Sequence, residues 1–159
     1  MPMDLTVATH GPTIFITDED FDRLDRLAAG AQSAKLPAAE LLASELDRAV
    51  VCSAAEIAAD VVTMNSRVTF HIGSEVQRHT RTLVYPEDYP TDGSGDDHLS
   101  VMTPLGAALI GMPAGSRIEY ETVNGTSRLV TVDAVPHQPQ AARQDGARRQ
   151  RRESDPERR

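Results

Sequence analysis

The chain has 159 residues, of which 40% are apolar, enough for one modest hydrophobic core and a small appendage but not for two full-sized domains. Aromatic residues make up 4% and tryptophan is absent, so any surface for stacking nucleic-acid bases is thin. The net charge of −8 is uneven, because residues 143–159 hold seven arginines against four acidic residues, whereas residues 1–142 carry −11. Such an acidic body repels phosphate backbones and favours basic protein surfaces.

Cysteine use and the N-terminal sequence point to the cytoplasm. Cys52 is the single cysteine, so no internal disulfide can form. It follows two valines at a predicted helix end, where we expect a small buried thiol without chemistry. The N-terminus lacks a basic region followed by an apolar run, and no stretch approaches about 20 apolar residues. We therefore expect a cytoplasmic monomer that makes no contact with a membrane.

Two amphipathic helices are predicted near the N-terminus, after a loose lead-in at residues 1–12. Thr17 is the predicted N-cap of the first helix, because an aspartate three positions on completes a capping box and acidic side chains meet the positive end of the helix dipole. Gly30 predicts the end of this helix, and Pro37 predicts the first residue of a second one that continues to about Cys52. Each helix has one apolar stripe at helical spacing: Phe21, Leu24, Leu27 and Ala28 in the first, and Leu42, Leu46, Ala49 and Val50 in the second. The stripes predict that the two helices pack as an antiparallel hairpin.

The pattern then changes from helices to strands. Residues 68–72 alternate between apolar and polar side chains, as in a strand with one buried face. Residues 80–85 have the β-branched and aromatic content of a second strand. A short strand is predicted at residues 99–102, followed by a helix that begins near Pro104.

The last strands form a predicted hairpin. Residues 118–123 and 126–135 flank Asn124-Gly125, a strong signal for a two-residue hairpin turn. The whole pattern predicts an α+β fold, with the helical hairpin at residues 13–58 and a sheet domain with one helix at residues 59–140.

The remaining residues, 141–159, are predicted to form a disordered tail, because Gln, Ala, Arg and acidic residues offer little to bury. The sequence RRQRR at residues 148–152 suits weak, salt-dependent contact with RNA, DNA or an acidic protein surface. A solvated tail without a fixed partner is the competing interpretation.

The sequence predicts no metal ion and no cofactor. Asp92, Asp96 and Asp97 form a loose group of carboxylates beside two glycines, but their spacing differs from that of a calcium-binding loop. His98 adds no further set of ligands by spacing. We therefore expect a solvated acidic loop.

The sequence also predicts no catalytic residue. His71 and His79 fall on or between predicted strands, where surface or half-buried positions are expected rather than a general base. A glycine-rich loop followed by Lys and Ser or Thr is absent from the sequence, so a phosphoryl-transfer site is not expected.

The helix after Pro104 is short and almost wholly apolar, in the sequence TPLGAALIG at residues 103–111. The simplest interpretation is a core helix that lies on the sheet. The alternative is that part of it, with Met102 and Met112 on either side, forms an exposed apolar patch that marks a partner surface.

Four blocks of sequence, in the same order, resemble the Rnk family, which is related to the transcript-cleavage factors GreA and GreB. They are ELDRA at 45–49, DVVTMNSRV at 60–68, RTLVYP at 81–86 and the residues from 99 to 111. The resemblance covers residues 13–142 and implies a short antiparallel helical hairpin followed by an FKBP-like twisted antiparallel sheet with one helix. It also implies binding to core RNA polymerase, with docking residues Thr103, Pro104, Leu105, Ile110 and Gly111.

The resemblance further implies where RNA-cleavage chemistry would lie. In GreA and GreB, acidic residues at the tip of a long coiled coil help to hold a catalytic magnesium ion in the polymerase. The corresponding tip here, residues 29–38, has no acidic residue; Gln32 and Ser33 are uncharged and Lys35 is the only charged residue. Helical arms of about 12 to 15 residues are roughly 18 to 22 Å long, too short to cross a deep channel.

These features together predict a non-catalytic RNA polymerase binder that competes with cleavage factors near the secondary channel and influences the level of nucleoside diphosphate kinase. Two alternatives stay open. The FKBP-like fold suggests a peptidyl-prolyl isomerase, although a fold does not determine function, and only three Phe and three Tyr are available for an aromatic pocket, with Phe15 and Phe21 in the N-terminal region. The family name suggests direct contact with nucleoside diphosphate kinase.

Overall fold

The computed structural model describes residues 12–33, 37–93 and 95–143. The fold is of mixed α and β type, with an N-terminal pair of helices and a five-stranded sheet. One further short helix lies between the helical pair and the last two strands of that sheet. In chain order the elements are β1 (Phe15–Thr17), α1 (Asp18–Ser33), α2 (Pro37–Arg48), β2 (Val50–Cys52), β3 (Arg67–Ile72), β4 (His79–Val84), β5 (His98–Ser100), α3 (Pro104–Leu109), β6 (Arg117–Glu121) and β7 (Ser127–His137).

The main sheet has the strand order β5-β4-β3-β7-β6. β3 pairs antiparallel with both β4 and β7, and β6 pairs antiparallel with β7. Irregular register between β3 and β7 near Thr69 adds local curl to the sheet. The expected antiparallel sheet has one parallel edge, because the long connection after β4 returns the chain to the start of that strand before β5 begins.

One hydrophobic core joins the helices to the sheet. Phe70 and Val132 come from the apolar face of the sheet, and Leu109 comes from α3. Leu24 of α1 and Leu42 of α2 belong to the same cluster of buried side chains. The helical pair therefore has no separate core, and its apolar stripes are buried partly against the sheet domain.

The first helix begins as predicted and ends later than predicted. Thr17 Oγ1 accepts a hydrogen bond from Asp20 N at 3.2 Å, which confirms the predicted N-cap. The prediction that Gly30 ends this helix is wrong, because α1 continues past it. A glycine inside a helix costs about 0.5 to 1 kcal/mol, and we attribute the continuation to burial of Ala28 and Ala31 in the same stretch.

The second helix begins at Pro37 as predicted but ends at Arg48 rather than near Cys52. The next residues form β2, which pairs in parallel with β1, and Val50 N donates to Ile14 O at 2.9 Å. β-branched valines favour a strand over the last turn of a helix, so these residues pair with β1 instead of continuing α2. Cys52 is therefore a half-exposed strand residue and not a buried thiol at a helix end.

The hairpin of β6 and β7 is confirmed, but its turn is longer than the predicted two residues. Glu121 and Ser127 are the last pair in the strand register. Thr122 N then donates to Thr126 O at 2.9 Å, and Gly125 N donates to Thr122 O at 2.8 Å. These bonds close a three-residue loop at 123–125, the next most common hairpin length after two residues.

A helical turn at residues 139–143 follows β7 and is attached to the sheet domain by two buried glutamines. Gln138 Nε2 donates to Ala58 O at 2.7 Å and to Val61 O at 2.8 Å. Thr63 Oγ1 donates to Gln140 Oε1 at 2.7 Å. Helical structure thus includes the first three residues of the predicted tail, and residues 144–159 lie outside the described part of the chain, as do residues 1–11 of the predicted lead-in.

Candidate partner-binding surface

Helix α3 carries most of the predicted docking residues, and its N-cap sets its position. Thr103 Oγ1 accepts a hydrogen bond from Gly106 N at 3.1 Å and donates one to Ser100 O at 2.7 Å. Pro104 occupies the first helical position, where the backbone N–H that proline lacks would have no partner within the helix. A single hydroxyl therefore caps α3 and joins it to the end of β5.

The five predicted docking residues separate into two groups. Thr103, Pro104 and Leu105 are half-buried and reach the surface. Ile110 is only 1% exposed, and Gly111 is buried. Most of α3 is thus a core helix, as the simplest interpretation held, and its exposed margin consists of residues 103–105.

Gly111 joins the end of α3 to the N-terminal strand. Its carbonyl accepts a hydrogen bond from Phe15 N at 2.9 Å, and its amide donates to Val62 O at 2.8 Å. The residue has φ of +80°, and an added Cβ would lie 2.9 Å from Ile14 Cβ. Only glycine fits this close approach without strain. Gly111 therefore fixes β1 on the sheet domain and presents nothing to a partner.

A half-buried carboxylate, that of Asp20 at the start of α1, forms a second joint between the helices and the sheet domain. Asp20 Oδ1 accepts a hydrogen bond from Tyr85 OH at 3.2 Å, and Oδ2 accepts one from Met64 N at 3.3 Å. Burial raises the pKa of Asp20, and the hydrogen bonds from Met64 and Tyr85 oppose this shift. Burial, with the adjacent Asp20 charge, also raises the pKa of Tyr85.

Arg23 covers this joint from the solvent side. Its guanidinium carbon lies 3.6 Å from the centre of the Tyr85 ring, and the group also pairs with Glu87. In the sequence, the aspartate at position 20 is recognisable only as part of a helix cap. Its tyrosine partner lies 65 residues further along the chain, and no local pattern indicates that contact.

The tip of the helical pair lies partly outside the described residues. Gln32 and Ser33 are the last residues of α1, but their side chains and the whole of Lys35 are not described. The helices have 16 and 12 residues, which correspond to about 24 Å and 18 Å. Ala38 and Ala39 at the start of α2 are buried, so small side chains bring the helices close together near the tip.

A groove of about 1040 Å³ runs between α2 and the β6–β7 hairpin. Three exposed glutamates line it, Glu40 on α2 and Glu119 and Glu121 on β6. Half-buried Leu41 and Leu129 give it an apolar component. The groove adjoins the exposed margin of α3 because Pro104 also lines it.

A buried ion pair lines the same groove. Glu45 is 3% exposed, and its carboxylate pairs with the guanidinium of Arg48, with a distance of 3.4 Å between Oε1 and Nε. Burial raises the pKa of Glu45, and the hydrogen bond and charge of Arg48 oppose the shift. Both residues belong to the ELDRA block, and the sequence did not lead us to predict the pair, although a spacing of three positions in a helix is a local signal that could have indicated it.

The histidines lie on strands, as predicted, and both are half-buried. His71 Nδ1 is 2.9 Å from the carboxylate of Asp133, which also pairs with Arg78 Nε at 3.1 Å. His79 packs its ring against Phe70, with 5.5 Å between the ring centroids. The contacts of His71 and His79 are thus surface ion pairing and ring packing.

The acidic loop between β4 and β5 keeps its carboxylates in solvent, since Asp92, Asp96 and Asp97 are exposed. Within residues 12–33, 37–93 and 95–143, no group of three His, Cys, Asp or Glu side chains is placed to hold a metal ion. In the same ranges, no helix is both long and apolar enough to cross a membrane. Cys52 shares no such group, and burial raises the pKa of its thiol, which disfavours the reactive thiolate.

Comparison with known proteins assigns both parts of the chain. Residues 12–51 match the family described as Rnk N-terminus, and residues 57–136 match the family described as transcription elongation factor, GreA/GreB, C-term. Regulators of nucleoside diphosphate kinase from Escherichia coli K12 and Shigella flexneri are each 46% identical over 82% of this chain and 94% of their own length. A prokaryotic transcription elongation factor GreA/GreB from Nitrosomonas europaea is 35% identical, with a TM-score of 0.62 over 79% of this chain and all of its own. The chain therefore belongs to the family of regulators of nucleoside diphosphate kinase and contains, at residues 57–136, a domain of GreA/GreB type.

Proposed function

We propose that this protein is a non-catalytic transcription regulator of the cytoplasm that binds core RNA polymerase near its secondary channel and competes there with GreA and GreB. One observation carries the proposal: a GreA/GreB-type domain at residues 57–136 is joined to a helical pair whose tip, residues 29–38, has no acidic residue. The domain supplies a means of docking. The tip lacks the carboxylates that a second magnesium ion requires.

The length and attachment of the helical pair support occupancy without cleavage. Helix α1 has 16 residues and is therefore about 24 Å long. Its first turn is held at the sheet domain by the hydrogen bonds of Asp20 with Tyr85 and Met64. Leu24 and Ala28 further along α1 also belong to the core that the helices share with the sheet domain, so little of the pair extends beyond that core. The helices thus suit contact with the entrance of a channel better than insertion through it.

The docking surface in this proposal is the exposed margin of α3, residues Thr103, Pro104 and Leu105. Ile110 and Gly111 support this margin from within the core. We also infer the finer fold assignment from the family, namely an antiparallel helical hairpin followed by an FKBP-like domain. Through altered transcription, polymerase binding would change the level of nucleoside diphosphate kinase.

The primary experiment mixes the purified protein with core polymerase and with stalled elongation complexes. We expect binding at micromolar concentration and slower GreB-stimulated RNA cleavage as the protein is added, without cleavage by the protein alone. Stimulated cleavage, or no binding to core polymerase at micromolar concentration, would falsify the proposal.

A pair of variants locates the docking surface. Leu105→Ser changes the half-buried margin of α3, whereas Val76→Ser makes the same kind of change at a valine that is 93% exposed in the β3–β4 connection. We expect Leu105→Ser to weaken polymerase binding and Val76→Ser to leave it unchanged. Thermal unfolding of both variants separates loss of binding from loss of fold. Equal binding by two folded variants would move the docking surface elsewhere.

Direct contact with nucleoside diphosphate kinase is the second candidate, and the name of the curated relatives is the observation that favours it. A pull-down from lysate distinguishes the two, because polymerase subunits and the kinase are separable by mass spectrometry. Recovery of the kinase without polymerase would favour this second candidate. A peptidyl-prolyl isomerase gains no support from the groove, since Tyr120 is the one aromatic residue among the described residues that line it.

A further inference from the structure

We propose that the arginine-rich C-terminal segment of this chain, residues 144–159, lies in the acidic groove between α2 and the β6–β7 hairpin. The arginines at 148–152 make the principal contacts in this arrangement. The proposal concerns a contact within one molecule and does not depend on polymerase binding.

The charges of the groove are suited to a basic segment. Glu119 and Glu121 alternate with buried residues along β6, so both point to the same side of this edge strand. Glu40 of α2 lines the same groove. Within the described ranges, none of these three glutamates takes part in an ion pair. The segment brings four arginines within five residues and no acidic residue among them.

The chemistry of the groove suits arginine in particular. Glu45 and Arg48 already form a guanidinium–carboxylate pair in its lining. A guanidinium binds carboxylates through two parallel hydrogen bonds, which an ammonium group cannot do. Leu41 and Leu129, both half-buried, provide apolar surface against which the methylene stems of arginine can pack.

The origin of the segment lies near one end of the groove. Gln138 is hydrogen-bonded to the carbonyl of Val61, and Val61 forms a bridge with Pro113, shortly before β6 begins. The groove is lined from Arg117, the first residue of β6, to the hairpin loop. From residue 143 an extended chain reaches about 30 Å by residue 152. The five strand residues of β6 span about 17 Å, so the arginines can follow the groove over its length.

The other acidic surface of the body is less suitable. Asp18, Asp22 and Asp25 are exposed along α1, but this face is the convex side of a helix. Both surfaces also carry arginines, Arg23 and Arg26 on α1 and Arg48 and Arg117 in the lining of the groove, so the shape of the surface separates them. A convex surface offers few simultaneous contacts to an extended segment. In the groove, by contrast, acidic residues approach from two sides. Because Pro104 lines the groove, a bound segment would also cover part of the α3 margin, a consequence that rests on the proposed function.

Paramagnetic broadening in the full-length chain tests the contact. Cys52→Ser removes the native thiol, and a nitroxide label is attached after Ser154→Cys. We expect selective broadening of the amide signals of Glu40, Glu119 and Glu121, and its loss at 1 M NaCl, where the screening length is about 3 Å. A matched pair of variants with equal charge change decides the site: Glu119→Gln with Glu121→Gln should abolish the broadening, and Asp22→Asn with Asp25→Asn should leave it intact.

Three results would overturn the proposal. The first is absence of selective broadening, and the second is broadening centred on α1 that the Asp22→Asn and Asp25→Asn pair removes. The third is broadening in a mixture of isotope-labelled chains without nitroxide and unlabelled chains with nitroxide, since that result places the segment on a second copy. Amide spectra of each variant confirm that the fold is retained.

Discussion

The helical pair and the sheet domain bury their apolar residues in different ways. In the sheet domain, strands such as β3 and β6 alternate buried and exposed residues and supply most of the core. In the helical pair, each helix has one apolar stripe, which joins that same core through residues such as Leu24 and Leu42. The base of the pair is further fixed at Gly111 and Asp20. The difference teaches that the helical pair depends on the sheet domain for the burial of its apolar stripes.

The largest expected effect tests whether the two regions share one core. Leu42 is fully buried, and Leu42→Ala should lower the free energy of unfolding by about 2 to 5 kcal/mol. Far-UV circular dichroism follows mainly α1 and α2, whereas the three tyrosines, all after residue 57, report on the sheet domain. Both signals should shift together in urea. Loss of helicity before the tyrosine signal changes would mean that the helices unfold separately. Leu41→Ala, at a half-buried neighbour, is the control and should have a smaller effect.

A smaller loss is expected where α3 meets the sheet. A Cβ at Gly106 would lie 2.1 Å from Ser100 O, so Gly106→Ala must displace α3 from the end of β5. Overpacking of this kind costs about 1 to 3 kcal/mol or more. Urea unfolding of the variant measures the loss. Unchanged stability would contradict the close approach of α3 to β5.

The joint at Asp20 should appear as a pH dependence of stability. Burial raises the pKa of Asp20 above its ordinary 3.8, so the folded protein holds the proton over a range in which the unfolded chain has lost it. The stability that this group contributes is therefore present below the ordinary pKa and is lost as pH rises through the folded pKa. Asp20→Asn should remove this decline from urea unfolding measured between about pH 4 and pH 7.

Tyr85→Phe is the matched variant for that measurement. It keeps the carboxylate but removes the hydrogen bond from Tyr85 that lowers the pKa of Asp20. The decline with pH should therefore persist and extend to higher pH. An identical pH profile in the wild-type protein and in Asp20→Asn would show that Asp20 makes no such contribution.

The smallest expected effect is a gain in stability within the helical pair. Gly30 lies inside α1, and a Cβ added there meets no atom within 4 Å. Gly30→Ala should raise the free energy of unfolding by about 0.5 to 1 kcal/mol, because alanine loses less backbone entropy than glycine. A higher urea midpoint at unchanged slope is the expected readout. A lower midpoint would mean that the helix needs glycine at this position.

Local signals predicted some elements better than others. Thr17 and Pro37 marked helix starts correctly, because a cap and a proline act within one turn of the chain. The end of α2 was misplaced because Val50 pairs with β1, a strand more than 30 residues earlier in the sequence. The five predicted docking residues include the exposed margin of α3 but also the buried Ile110 and Gly111. The sequence could not separate the two groups, because residues of these types occur both in cores and at surfaces.

The sequence by itself determined where the two helices begin, which segments of the sheet domain form strands, the absence of acidic residues at the tip and the uneven charge of body and tail. These properties depend on side-chain type and short-range spacing, which the chain carries at every stage of folding. Only the tertiary structure decided that Asp20 meets Tyr85, that Gly111 receives β1, and that glutamates from α2 and β6 face one groove. Each of these contacts joins residues far apart in sequence, and their geometry follows from how the elements pack around one core.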